Sequence, residues 1–102
     1  MNGEAEGIVT VALGDRVRPT EQALYKQLDG EAVLLHLESE TYFGLNAVGA
    51  RMWELLTTAP AIRDAFEALL EEYDVDPATL RKDMEDLIAE LSARGLLRVE
   101  HP

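Results

Sequence analysis

His36 and His101 are the only imidazoles of this 102-residue chain, Ser39 and Ser92 are its only serines, and it has no cysteine. Metal ligation would need a second histidine or a cysteine a few residues away, and neither histidine has one. His36 falls inside an expected strand and reads as a sheet-surface residue, while His101 is next to the last residue. Ser39 belongs to a turn and Ser92 to a helix, and no nucleophile elbow or glycine-rich phosphate loop surrounds either. Carboxylates are abundant, yet Glu71, Glu72, Asp83, Glu85 and Asp86 fall on the solvated faces of expected helices. No catalytic residue, metal or cofactor is assigned, and an enzyme is not expected.

Charge narrows the partners. Twenty acidic residues against nine basic ones give a formal net charge of -11. Nucleic acid and anionic membrane both select clustered positive surface, so neither is expected as a partner. A basic or neutral peptide is compatible with this charge, although acidity is also a plain solubility device. Hydrophobic residues make up 47% of the chain, enough for one packed core. No apolar run approaches the roughly 18–20 residues of a bilayer span. The acidic start Met1–Gly7 lacks the pattern of a signal peptide, and with the absence of cysteine this fits a cytoplasmic protein.

What remains is the chemistry of the backbone, and the elements decide where it is available. Met1–Gly7 is expected to be a flexible tail and residues 8–100 one domain. Ile8–Leu13 alternates loosely, as a strand or ordered arm, and Gly14–Thr20 reads as a loop. Ala23–Leu28 and Glu31–Leu37 flank Asp29 and Gly30, a dipeptide suited to the positive φ angles of a two-residue hairpin turn. Glu38–Glu40 is a second polar turn, and Thr41–Leu45 follows as a third strand. That strand would lie near the edge of a small sheet, where unpaired N–H and C=O groups can capture another extended chain. Tyr42 and Phe43 must point to opposite faces, because side chains alternate, and the pattern leaves open which one is core.

Three helices follow. Asn46 suits an N-cap, and Val48, Met52, Leu55 and Leu56 recur at helical spacing, with Trp53 beside them as a core anchor. Pro60 opens a second helix with the stripe Ile62, Phe66, Leu69, Leu70 and Tyr73. Asp76 and Pro77 open a third, with the stripe Leu80, Met84, Leu87, Ile88 and Leu91, and Gly95 stops it. Leu96–Glu100 suits a short terminal strand. The expected fold is α+β and winged helix-turn-helix-like, a three-stranded antiparallel sheet followed by three helices. As a groove reader the third helix, Pro77–Arg94, is poorly suited, since Arg81, Lys82 and Arg94 are outnumbered by Asp83, Glu85, Asp86 and Glu90.

The segment Glu31–Leu56, centred on Leu37–Trp53, resembles the PqqD-like family, and so does Asp83–Leu97. The Leu45–Asn46 junction and the Gly95–Leu97 ending are the better markers, and the resemblance extends over about Ala23–Val99. Members are recognition elements for ribosomally made, post-translationally modified peptides. The resemblance implies that the leader segment of a precursor peptide adds as a strand along Glu40, Thr41, Tyr42, Phe43, Gly44 and Leu45. It implies contacts from the third helix through Leu80, Asp83, Met84 and Leu87, with Asp83 receiving a basic or hydroxyl group. Ala50–Leu56 departs from the first-helix ending of the pyrroloquinoline quinone branch and is more similar to the stand-alone recognition proteins of lasso-peptide clusters. Those pass the leader to a separate leader peptidase. The alternatives are a peptide chaperone for a radical enzyme of the quinone pathway and a winged-helix transcription regulator. The same edge also suits pairing with a second copy in a homodimer.

Overall fold

A computed structural model describes residues 11–102, so the expectations for Met1–Gly7 and for Ile8–Thr10 lie outside the described residues. Along the chain run β1 (Arg16–Pro19), β2 (Ala23–Leu28), β3 (Glu31–His36), β4 (Thr41–Leu45), α1 (Ala47–Thr58), α2 (Ile62–Glu72), α3 (Pro77–Ala93) and β5 (Leu97–Glu100). The expected meander is present as an antiparallel sheet in the order β2-β3-β4. Asp29 and Gly30 both have positive φ, 41° and 89°, so the β2–β3 turn forms for the local reason its sequence gives. Glu40 takes φ 59° at the end of the second turn, where its N–H donates to the His36 carbonyl at 2.7 Å.

The start of the chain departs from expectation. Val11–Leu13 is not a strand, and the segment read as the loop Gly14–Thr20 contains β1. β1 does not join the meander either; it pairs antiparallel with β5 as a separate ribbon, with Val17 opposite Val99 and Pro19 opposite Leu97. Four residues with two arginines and a proline carry no alternation to read. Their pairing partner lies some eighty positions away, beyond the reach of any local signal.

The helix ends show where backbone groups find partners. Asn46 Oδ1 accepts the Gly49 N–H at 2.8 Å, and Asp76 Oδ2 accepts that of Thr79 at 3.0 Å, ahead of Pro77 in the first turn of α3. α3 closes on Gly95 at φ 76°, and Leu96 N–H donates back to the Leu91 carbonyl at 2.9 Å. α2 differs from expectation: it begins at Ile62, so Pro60 precedes the helix, and Ala61 supplies no side-chain cap. The Asp15 and Leu13 carbonyls take the Ile62 and Arg63 N–H groups instead, at 2.8 and 2.9 Å. α1 runs two residues past Leu56, to Thr58.

This places the loop before β1 in a structural role. Asp15 is buried; one oxygen accepts the Ala12 N–H at 2.8 Å and the other lies 2.9 Å from His101 Nδ1. The Ala12 hydrogen bond first, and then His101, hold the Asp15 carboxyl below the usual carboxylate range. A carboxylate depressed in the folded state stabilises above its unfolded pKa, near 4, and that contribution is lost as pH falls. Asp15→Asn is therefore expected to lower Tm at neutral pH and to converge on the parent protein as pH falls below the usual carboxylate range. Thermal melts across that range check it, and a constant difference would show that the carboxylate's charge is irrelevant.

The core lies between the inner face of the sheet and the three helices. Leu34 and Leu45 from the sheet meet Met52, Trp53 and Leu56 of α1, Ala65 and Leu69 of α2, and Leu80, Met84, Ile88 and Leu91 of α3. Trp53 is 5% exposed and stacks on Tyr25 with ring centroids 5.7 Å apart, in keeping with its reading as a core anchor. Val48, placed in the α1 stripe from its spacing, is 40% exposed, and Ala50 is buried in its stead. α1 is thus rotated so that its first turn leaves an apolar side chain uncovered.

Candidate functional site

β4 is bonded to β3 alone, so its other edge presents unpaired backbone groups among the described residues. The register sets Tyr42 opposite Leu35, Phe43 opposite Leu34 and Gly44 opposite Val33. Leu34 is fully buried, which fixes Phe43 and Leu45 on the inner face, toward the helices. Tyr42 and Gly44 stand on the outer face, with Tyr42 71% exposed. The question left open by alternation is thereby answered, since Phe43 packs against the core and Tyr42 does not.

The end of α3 lies over the middle of this strand, and its start borders a cleft with α1. At its C-terminal end, the Arg94 guanidinium lies 4.7 Å from the centroid of the Phe43 ring, held there in an ion pair with Glu90 at 2.7 Å. At its N-terminal end, Thr79, Leu80 and Asp83 share an apolar cleft with Val48 and Met52 of α1 and with Tyr73 and Val75 of the α2–α3 connection. The cleft opens beside the first turn of α1, immediately after β4 ends. Val48 and Val75 line it while 40% and 43% exposed, and Asp83 gives it an anionic rim.

A free strand edge and an apolar cleft on one small domain suit an extended peptide, with main-chain pairing for affinity and a pocket for selection. The family model described as coenzyme PQQ synthesis protein D (PqqD) matches residues 31–97. The chain belongs to the PqqD family. The match takes in β3, β4, the three helices and the start of β5, so the free edge and the cleft both fall within the PqqD part of the chain. Two solved structures are similar to it. One, "TbiB1 in Complex with the TbiA(beta) Leader Peptide", is 37% identical with a TM-score of 0.74, over 79% of this chain and 94% of that one. The other, "Lasso peptide synthetase B1 complexed with the leader peptide", is 25% identical with a TM-score of 0.74, over 81% of this chain and 98% of that one. No curated protein matches the chain.

Within this PqqD domain the residues singled out from sequence fall into three environments. Thr41, Tyr42, Phe43 and Gly44 form the edge strand, with Glu40 at its entry. Asp83 is exposed on the cleft rim and Leu87 is half-buried against the core. Leu45, Leu80 and Met84 are 5%, 3% and 2% exposed and are core residues; of these, Leu80 also lines the cleft. Sequence reasoning missed Val48, Tyr73, Val75 and Thr79 as cleft residues and Arg94 as the cover of Phe43. A valine in the short connection 73–76 was the available signal, because such turns are ordinarily polar.

His36 Nδ1 accepts the Ser39 N–H at 3.2 Å, which spends that nitrogen on the turn into β4. No group of three or more His, Cys, Asp or Glu residues able to hold a metal occurs among the described residues. No described helix is long and apolar enough to cross a membrane. Every cation at the end of the helix-turn-helix is matched: Arg81 to Glu85 at 3.0 Å, Lys82 to Asp86 at 3.0 Å and Arg94 to Glu90. Such pairs leave α3 without free positive charge for phosphates.

Proposed function

We propose that this protein binds the leader segment of a ribosomally made precursor peptide and presents it to a maturation enzyme without itself catalysing a reaction. The leader adds as a strand to the free edge of β4, and an apolar leader side chain enters the cleft between α1 and α3. The observation that carries the reading is the free edge of β4 inside the part of the chain that the PqqD family model matches. Leader peptides in the similar structures support it. In the lasso-peptide setting the enzyme would be a leader peptidase, and a single leader grip would raise the effective concentration of the attached core peptide at that enzyme.

The energetics are those of coupled folding and binding. A free leader is disordered, and ordering it opposes association by about 2–5 kcal/mol. Backbone pairing alone discriminates little, so the cleft and its anionic rim must supply selection. We expect saturable binding of the labelled leader from the precursor encoded beside this gene and none of its scrambled counterpart, measured by fluorescence polarisation. Equal binding of the two by folded protein would defeat the proposal and leave the family's fold without its recognition role.

A further inference from the structure

Among the described residues a single ion pair joins two helices, and each of its members is next in sequence to a wall of the α1–α3 cleft. Arg51 Nε and Nη2 donate to the two carboxylate oxygens of Glu72 at 2.9 and 2.6 Å, a fork that fixes distance and angle together. Arg51 Nη1 donates to Glu54 Oε1 at 3.0 Å, and Glu54 Oε2 accepts the Tyr25 hydroxyl at 3.2 Å. Tyr25 in turn stacks on the buried Trp53. The guanidinium is thus oriented from the core outward before it meets Glu72.

Arg51 follows Val48 by one helical turn and precedes Met52, which form the α1 wall of the cleft. Glu72 is the last residue of α2 and precedes Tyr73, which with Val75 forms the opposite wall. The Tyr73 N–H still bonds to the Leu69 carbonyl at 2.9 Å, but Asp74 and Val75 make no hydrogen bond among the described residues. Order resumes only at Asp76, which caps α3. The Arg51–Glu72 pair is therefore the last polar tie between α1 and α2 before the chain becomes the cleft wall. It does little for the fold as a whole, because its side chains are 39% and 36% exposed and such pairs contribute little stability. The Arg51 hydrogen bond also holds the Glu72 carboxyl below the usual carboxylate range, which keeps the pair ionised at neutral pH. Neither residue lines the cleft itself.

We propose that Arg51 and Glu72 are positioning residues that set the width of the α1–α3 cleft and, through it, which apolar leader side chain the cleft accepts. The proposal rests on the leader-binding reading and deepens it. Selection by shape requires walls that do not yield, and an unbonded connection yields unless its start is fixed. A bidentate pair fixes it where a lysine would not, since an ammonium is a point charge without the fork. With the pair broken, Tyr73 and Val75 are free to move from Val48 and Met52, and the cleft loses its discrimination while the core stays packed.

The test compares the parent protein with Glu72→Gln, with Arg51→Lys and with the exchanged pair Arg51→Glu/Glu72→Arg. The probes are the labelled leader of the adjacent precursor and versions in which each Leu, Ile, Val or Met is replaced singly by alanine. Thermal melts should place all three variants within a few degrees of the parent. Against the parent, replacement of the leader residue that enters the cleft should cost about tenfold in affinity. Glu72→Gln and Arg51→Lys should bind the unaltered leader about fivefold more weakly, and that same replacement should then cost under about twofold. The exchanged pair should restore both the affinity and the cost of the replacement, an outcome that a merely local structural role would not give. Parent-like affinity and replacement costs in folded Glu72→Gln, or a folded exchanged pair that binds as weakly as Glu72→Gln, would overturn the assignment and leave the leader-binding reading standing. If the unaltered leader fails to bind the parent protein, the leader-binding reading falls first, and this assignment with it.

Discussion

Replacing Met84 with aspartate is expected to abolish the folded state, while replacing its neighbour Asp83 with alanine leaves the fold intact. Met84 is 2% exposed and sits in the core among Leu80, Ile88 and Leu69. Truncating such a side chain costs about 2–5 kcal/mol through lost burial and the cavity it leaves. A carboxylate adds the cost of an unpaired buried charge, a further 3 kcal/mol or so. A domain of this size has about 5–15 kcal/mol in total, so the two together exhaust most of it. Asp83, one position earlier, points to solvent and makes no ion pair among the described residues. Circular dichroism and thermal melts decide the matter, and a cooperative melt for Met84→Asp near the parent Tm would show that the core is not where we place it. The consequence for function is practical. A charge at Met84 reports on folding, so the contribution of α3 to peptide binding must be probed through Asp83 and Leu87.

Val48→Glu is expected to have the opposite profile, with binding lost and the fold kept. Val48 is 40% exposed and belongs to the first turn of α1, where a polar replacement changes stability by about 0.5 kcal/mol or less. The same side chain forms a wall of the α1–α3 cleft with Met52, Tyr73 and Val75. Covering what remains exposed of a valine is worth about 1–1.5 kcal/mol, and a carboxylate facing Asp83 adds like-charge repulsion. Leader affinity should fall about tenfold or more. Fluorescence polarisation beside a thermal melt gives both quantities. Unchanged affinity in the folded variant would remove the cleft from the leader's path and confine recognition to the strand edge.

Several elements were legible because their causes are local. Asp29 and Gly30 specify their turn through their own φ preferences, and Asp76, Pro77 and Gly95 bound α3 through its first and last hydrogen bonds. Thr41–Leu45 was recognisable as a strand, and as an edge, from its place after two hairpin turns. The ribbon of β1 and β5 was not legible, because its register joins Arg16 to Glu100 and depends on the helices between them bringing the ends together. The start of α2 was misplaced for a related reason: its free N–H groups are taken by carbonyls from residues 13 and 15, so no capping residue marks it in the sequence.

The sequence by itself determined that Thr41–Leu45 forms a strand near a sheet edge, that the third helix carries more acidic than basic residues, and what fold would carry them. It did so because strand, turn and cap preferences act over a few residues and charge simply adds. Only the tertiary structure decided that Phe43 faces the helices and Tyr42 faces out, that Met84 belongs to the core, and that Val48 lies open in the cleft. Alternation and helical periodicity fix the spacing of side chains along an element but not its rotation or facing, which are set when one face finds a partner to bury against.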